Sequence, residues 1–225
     1  MKANCFIDYD GTLTCNKKRL YAFFIQNISP QYKEVLSEDE FWSIKRLGIN
    51  EIEWINGKFH DNLDAKYWNE LKKQCIENEE YLQYNKLFDY TKCELERLKQ
   101  DYRLILVSRR SNSKNLINEI EREGLIYFFD DIVIVPHDKY TKAEHIKRCK
   151  NIELTNNDIF IGDTEDDIMT GIELNIEIYF VKSGIRSNWI INKLGVGEYK
   201  KLQIINDIRE IRSRRKKYND ENTSL

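Results

Sequence analysis

Aspartate side chains follow two short apolar stretches of this chain. Asp8 and Asp10 come after the first stretch, and Asp163, with Asp167 four residues on, comes after a later one. Residues two apart in a strand point to the same side, and residues four apart in a helix are neighbours, so these carboxylates can face one point. Gly11 lets the backbone turn sharply after the first pair, and the amides beyond it can point toward an anion. The sequence therefore predicts an acidic cluster.

Such a cluster needs a counter-charge. Two carboxylates about 4 Å apart repel by roughly 4 kcal/mol at an effective dielectric near 20, and three or four cost several times that unless a proton or a cation intervenes. Oxygen ligands without a thiolate or paired histidines suit a hard cation, and we expect Mg²⁺. The alternative is that Asp8 and Asp10 cap a turn and Asp163 caps a helix. Two acidic motifs after separate apolar strands favour the metal site.

Apolar stretches alternate with helical segments in the part of the chain that carries these motifs. About five short, largely β-branched stretches predict strands that are buried on both faces: Ala3–Ile7, Leu104–Val107, Ile132–Val135, Ile159–Ile161 and Ile176–Val181. Helical spacing in the intervening segments predicts a doubly wound parallel α/β sheet of Rossmann-like type. Such a sheet binds ligands at the carboxyl ends of its strands.

A long insertion separates the first two of these strands. Roughly 70 residues are too many for a plain connection in a compact domain. Helix N-cap patterns begin at Ser37 and Asn50, and an apolar stripe recurs every four residues from Leu63 to Cys75. We therefore predict an α-helical cap subdomain over residues 15–84.

The remaining sequence completes the domain organisation. The α/β catalytic core is predicted over residues 1–14 and 85–198. Residues 199–225 are predicted to form a C-terminal helix and a polar tail, because isoleucines recur there at helical spacing: Ile204, Ile205, Ile208 and Ile211.

Composition limits the classes of partner. The 36 Lys and Arg residues against 38 Asp and Glu give a net charge of −2, which argues against binding nucleic acid through bulk charge. No apolar run is long enough to cross a bilayer, so no membrane partner is expected. Five scattered cysteines without a CxxC pair indicate reduced thiols and a cytoplasmic protein. Composition makes no prediction of oligomeric state.

The acidic motifs resemble those of a known family. The segment Asp8-Tyr9-Asp10-Gly11-Thr12 resembles the first motif of the haloacid dehalogenase-like superfamily, most of whose members are phosphatases. Ser108 at a strand end is similar to its second motif, and the segment from Gly162 to Asp167 resembles its fourth. Lys139 and Lys142 are candidates for the lysine of the third motif. Lys142 is preferred because it begins a helix, as the family lysine often does.

The resemblance implies a covalent mechanism. Asp8 would attack the substrate phosphorus and form an aspartyl-phosphate. Asp10 would protonate the leaving oxygen and then deprotonate the incoming water. The family's metal site implies that Mg²⁺ is held by the Asp8 side chain, the Asp10 backbone carbonyl and Asp163, with Asp167 as a direct or outer partner.

The resemblance also implies which residues bind the substrate phosphate and what the cap does. Ser108 and Lys142 would hold the phosphoryl oxygens, helped by backbone N–H groups near Gly11 and Arg109. Arg110 is expected to be a solvated side chain. The cap would close over the site and select the leaving group. The expected substrate is a small phosphorylated metabolite.

Asp10 also bears on the reaction type, because dehalogenases of this family lack the second aspartate: a halide leaves without a proton. A phosphatase is therefore expected. A phosphomutase uses the same residues and differs only in whether water or a sugar hydroxyl takes the phosphoryl group. A signalling receiver domain is disfavoured, since its phosphoacceptor lies on a middle strand that ends here in Ser108. A non-catalytic binding protein is disfavoured because no motif position is missing.

Overall fold

A computed structural model of the chain describes residues 2–136 and 138–212. Its strands are β1 (Ala3–Ile7), β2 (Thr14–Cys15), β3 (Lys86–Leu87), β4 (Tyr102–Ser108), β5 (Asp131–Ile134), β6 (Ile159–Gly162), β7 (Glu177–Val181) and β8 (Leu202–Ile205). Six of them form a parallel sheet in the order β5-β4-β1-β6-β7-β8. The predicted doubly wound α/β sheet is confirmed.

The helices fall into two groups. Those that follow β3 cover the faces of the sheet, and those between β2 and β3 form a separate layer. In chain order they are α1 (Lys17–Asn27), α2 (Glu38–Arg46), α3 (Glu51–Phe59), α4 (Ala65–Cys75), α5 (Glu79–Leu82), α6 (Thr91–Asp101), α7 (Ser113–Arg122), α8 (Lys142–Arg148), α9 (Glu165–Leu174) and α10 (Trp189–Leu194). Short 3₁₀ turns occur at Pro30–Tyr32, Ile126–Phe128 and Ile208–Glu210.

The register of the central strands creates the site edge. Ile7 at the end of β1 lies opposite Leu106 of β4 on one side and Ile161 of β6 on the other. Because these strands are parallel, their carboxyl ends meet at the same edge of the sheet. The Asp8 N–H extends the pairing by donating to the Ile161 carbonyl at 2.9 Å.

Helices α1 to α5 form the predicted helical cap. They pack around an aromatic and aliphatic cluster of their own, which includes Phe23, Phe41, Ile55 and Trp68. The rings of Phe23 and Trp68 are 5.2 Å apart in an edge-on contact. The antiparallel pair of β2 and β3 lies beside both ends of this insertion. The residue limits 15 and 84 themselves stay a prediction.

The C-terminal segment differs from the expectation. Residues 202–205 form the edge strand β8 rather than a helix, and Ile208–Glu210 forms a 3₁₀ turn. β-branched isoleucine favours strands, and pairing with β7 satisfies backbone groups that a helix would leave open at the sheet edge. The predicted C-terminal helix is therefore wrong. The predicted polar tail begins at Arg212, and residues 213–225 of it lie outside the described residues.

Within the described residues, none of the helices combines the length and apolar character that crossing a membrane requires.

Candidate active site

Three aspartates from two strand ends meet at this edge of the sheet. Asp8 follows β1, Asp163 follows β6, and Asp167 lies in the first turn of α9. Each offers a carboxylate oxygen within 4.8 Å of the others, and all three side chains are buried. The predicted convergence of residues far apart in sequence is therefore present.

One lysine faces this cluster. The Lys142 ammonium, at the first residue of α8, donates to Asp8 Oδ1 at 2.8 Å and to Asp167 Oδ1 at 2.7 Å. Lys139 instead places its ammonium 5.1 Å from the centre of the Tyr140 ring. Of the two candidate lysines, the structure brings Lys142 into the site.

The charges of the cluster fit a divalent cation. Ionised Asp8, Asp163 and Asp167 with protonated Lys142 would carry a net charge of −2. Burial raises the pKa of Asp8 to about 7, and Asp167 adds to this although Lys142 opposes it. Burial and the adjacent Asp8 likewise raise the pKa of Asp163 well above its usual range. Asp163 Oδ1 is buried without a hydrogen-bond partner among the described residues, as expected of an atom that binds a hard cation.

Two glycines allow the backbone to approach Asp163. A Cβ at Gly11 would lie 2.2 Å from Asp163 Oδ2, and one at Gly184 would lie 2.0 Å from the same atom. The next residue, Ile185, donates its N–H to this oxygen at 2.6 Å. The N–H of Gly11 itself donates to the Thr14 carbonyl at 2.7 Å. In this conformation the Gly11 amide is bonded within its own turn, and the close approach of the backbone to Asp163 explains the glycine. A role of N–H groups near Gly11 in binding phosphate stays a prediction.

Asp10 lies in a different environment. Arg110 donates to both of its oxygens, at 2.7 and 2.8 Å, and Arg19 Nη2 lies 3.1 Å from Oδ1. Burial alone would raise the pKa of Asp10, but the two guanidinium groups hold it well below its usual range. The expectation of a solvated Arg110 is wrong, since its side chain is 3% exposed and also donates to Glu119.

Asp8, Asp10 and Lys142 line a cavity of about 560 Å³, a size that suits a small molecule. Ser108, at the end of β4, is buried in its wall. Arg109 lines the same cavity but bonds to Asp166, with Nε 2.9 Å from Oδ2. The structure thus brings Asp8, Asp10 and Ser108 to one cavity, and places Arg109 at its rim.

The profile of the haloacid dehalogenase-like hydrolases matches residues 6–181. The chain belongs to this family. A search of curated proteins gives no significant match.

Solved structures share the fold of this haloacid dehalogenase-like hydrolase. A predicted phosphatase from Clostridium acetobutylicum is 19% identical with a TM-score of 0.61, and each chain is covered completely. The hydrolase YfnB from Bacillus subtilis, bound to magnesium, is 16% identical with a TM-score of 0.58, covering 93% of this chain and 96% of its own. A predicted phosphoglycolate phosphatase from Haemophilus somnus is 21% identical with a TM-score of 0.60, covering 84% and 88%.

The cap of this haloacid dehalogenase-like hydrolase is joined to the core beside the cavity. The Ser187 N–H donates to the Arg46 carbonyl at 2.9 Å, and Arg186 Nη1 donates to the Lys45 carbonyl at 2.9 Å. On another side, the Glu77 carboxylate accepts from two backbone N–H groups of the core. The cavity is therefore enclosed by both parts of the chain.

Sequence reasoning missed the cap residues that line this cavity. They are Asn16, Arg19, Leu20, Lys72 and Glu77. Their positions follow from how the cap helices pack over the sheet, and no local motif marks them. A weak signal exists only for Arg19, which lies at the start of a helix nine residues after Asp10.

Proposed function

We propose that the protein is a Mg²⁺-dependent phosphatase that hydrolyses a small phosphate monoester through an aspartyl-phosphate on Asp8. The observation that carries this proposal is the position of Asp8. Asp8 lines a cavity of small-molecule size, and its carboxylate lies beside two further aspartates and accepts from the Lys142 ammonium. The phosphatase names of two structural neighbours and the magnesium bound to YfnB support it.

Asp8 is suited to act as the nucleophile. Lys142 holds one of its oxygens, which orients the carboxylate and favours its ionised form. Asp8, Asp163, Asp167 and the Asp10 backbone carbonyl would hold the Mg²⁺. When bound, the ion offsets the repulsion between an anionic nucleophile and an anionic phosphate.

The phosphoryl group would be bound by Ser108 and Lys142. Both are buried in the cavity wall near Asp8, so their donors are already in place before the substrate arrives. Arg109 would assist from the rim, after exchanging its contact with Asp166 for the phosphate. Preorganised donors of this kind supply much of the catalysis in phosphoryl transfer.

Asp10 would transfer protons. Its pairing with Arg110 and Arg19 keeps it ionised in this conformation, which suits it to accept the proton of the attacking water in the second step. In the first step it would need a proton to give to the leaving oxygen. A weaker contact between Arg19 and Asp10 while substrate is bound would favour the protonated form of Asp10.

The test is phosphate release from p-nitrophenyl phosphate and a panel of small phosphorylated metabolites, with Mg²⁺ and with EDTA. We expect Mg²⁺-dependent release by the wild type. Asp8→Asn should lower the rate by about a thousandfold or more without unfolding the protein. Asp89→Asn, which changes an exposed aspartate, is the matched control.

Two outcomes would overturn the proposal. One is wild-type rates from Asp8→Asn. The other is isomer interconversion of a sugar phosphate without net phosphate release, which would identify a phosphomutase instead.

A further inference from the structure

Arg19 brings a buried, incompletely bonded cation from the cap to the active-site cavity. It lies in the first turn of α1, and its side chain is 6% exposed. Nη2 is 3.1 Å from Asp10 Oδ1. Nε and Nη1 are also buried, and neither donates a hydrogen bond to any of the described residues. Buried donors of a charged group are nearly always paired in native proteins, so these two indicate a ligand.

Two guanidinium groups at the core side of the cavity, those of Arg109 and Arg186, are bonded differently. Arg109 Nε lies 2.9 Å from Asp166 Oδ2, and Arg186 Nε lies 2.9 Å from both oxygens of Glu165. Each therefore has a carboxylate largely to itself. Arg19 shares Asp10 with Arg110, which also pairs with Glu119, so Arg19 has no carboxylate of its own.

A second cation of the cap wall also shares its carboxylate with another cation. The buried Glu51 carboxylate is shared by two ammonium groups, with Lys45 at 2.7 Å and Lys72 at 3.3 Å. Lys72 lines the cavity. Glu77, an acidic residue of the same wall, accepts from the backbone N–H groups of residues 111–112. Because Lys45 makes the shorter contact with Glu51 and Glu77 is bonded to the backbone of the core, Lys72 has no carboxylate of its own in this wall.

We propose that Arg19 and Lys72 bind a second anionic group, a carboxylate or a phosphate, on the leaving-group side of the substrate. This inference rests on the proposed phosphatase function and names its substrate class: a phosphate monoester with an anionic tail. The anionic tail supplies acceptors for Arg19 Nε and Nη1. The tail then draws Arg19 partly away from Asp10, and its binding positions the leaving oxygen beside the proposed acid.

The test uses three alkyl phosphates with the same three-carbon chain and different ends: propyl phosphate, 3-(phosphonooxy)propanoate and 1,3-propanediol bisphosphate. We expect kcat/KM of the wild type to be at least about tenfold higher for one of the anionic-ended compounds than for propyl phosphate. Comparing kcat/KM for the carboxylate-ended and the phosphate-ended compound shows which of the two anions the site prefers.

Variants assign the preference to Arg19. Arg19→Met should reduce the ratio of kcat/KM values, anionic-ended over propyl, to near one, and Arg19→Lys should restore part of it. Lys18→Met is the matched control, because Lys18 is the exposed neighbour on the same helix, and it should keep the wild-type ratio. A ratio near one in the wild type, or an unchanged ratio in a folded Arg19→Met, would overturn the proposal.

Failure of the phosphatase proposal is recognised separately. If the wild type with Mg²⁺ hydrolyses neither these three compounds nor p-nitrophenyl phosphate and the metabolite panel, the phosphatase proposal fails while the anion site is still decided by binding. Isothermal titration of the three compounds into Asp8→Asn should then show tighter binding of an anionic-ended compound, and loss of that difference in Asp8→Asn/Arg19→Met. Equal affinities for all three compounds would overturn the anion site.

Discussion

Arg110 binds both carboxylate oxygens of Asp10, with Nε 2.7 Å from Oδ2 and Nη2 2.8 Å from Oδ1. Its third nitrogen donates to Glu119 of α7, and Glu119 in turn accepts from the Tyr9 hydroxyl at 3.2 Å. One buried guanidinium therefore connects the segment after β1 to the helix that follows β4. Such a bidentate pair fixes the direction of the Asp10 carboxylate as well as its charge.

Replacing this guanidinium should destabilise the protein. Arg110→Met leaves the Asp10 and Glu119 carboxylates without their shared partner, and we expect a loss of about 3 kcal/mol or more in the free energy of unfolding. Urea denaturation measures this. Arg122→Met is the control and should change stability little, because the Arg122 side chain, at the end of α7, is 58% exposed. Similar denaturation midpoints for the two variants would contradict the structural role of Arg110.

The Arg110 contact shows where sequence reasoning stops. The sheet and the acidic cluster were predicted because strand-end residues of a parallel sheet must share an edge, and local patterns locate those ends. The partner of Asp10, Arg110, lies 100 residues further along the chain, and no comparable rule predicts from the sequence that the two meet. An arginine is usually exposed, so the expectation for Arg110 followed its residue type and not its tertiary position.

The C-terminal isoleucines show a second limit. Ile205, Ile208 and Ile211 are buried at a spacing of three, which resembles helical periodicity. In the structure the first belongs to a strand and the second to a 3₁₀ turn. The segment forms a strand because the edge of the sheet beside β7 is available for pairing. A sequence pattern does not show which edge of a sheet is free.

Gly184 should be required for metal binding. A Cβ there would lie 2.0 Å from Asp163 Oδ2, so Gly184→Ala has to displace the Asp163 carboxylate. We expect the Mg²⁺ affinity to fall by at least about tenfold. The increase in melting temperature on adding Mg²⁺ measures this through linkage. Gly197→Ala, whose Cβ would meet its nearest atom at 3.8 Å, is the control. An unchanged Mg²⁺ response in Gly184→Ala would rule out this constraint.

The cap should lose stability at low pH through Glu51. Burial alone would raise the pKa of Glu51, but Lys72 and Lys45 hold it well below its ordinary value of 4.5. Because the folded pKa is the lower one, the stabilisation is present above about pH 4.5 and is lost as the pH falls toward the folded pKa. Glu51→Gln should therefore cost about 3 kcal/mol at pH 7, and the difference from wild type should narrow below pH 4.5.

Unfolding by urea at a series of pH values measures this difference. Glu53→Gln changes an exposed carboxylate of the same helix and serves as the control. A difference between wild type and Glu51→Gln that stays constant from neutral to acidic pH would show that the charge of Glu51 is not what stabilises the cap.

Glu77 should hold the cap against the core. Its carboxylate accepts from the N–H groups of Ser111 at 3.0 Å and Asn112 at 2.6 Å, just before α7, and Asn115 Nδ2 donates to its carbonyl at 2.8 Å. A negative charge at a helix N-terminus is favourable, so Glu77→Ala removes two charge-assisted bonds and that charge. We expect faster hydrogen exchange at residues 111 and 112, because the cap then separates more often from the core. Glu79→Ala, at an exposed position of the next helix, should leave their exchange unchanged. Equal protection of these amides in both variants would mean that other contacts keep the cap closed.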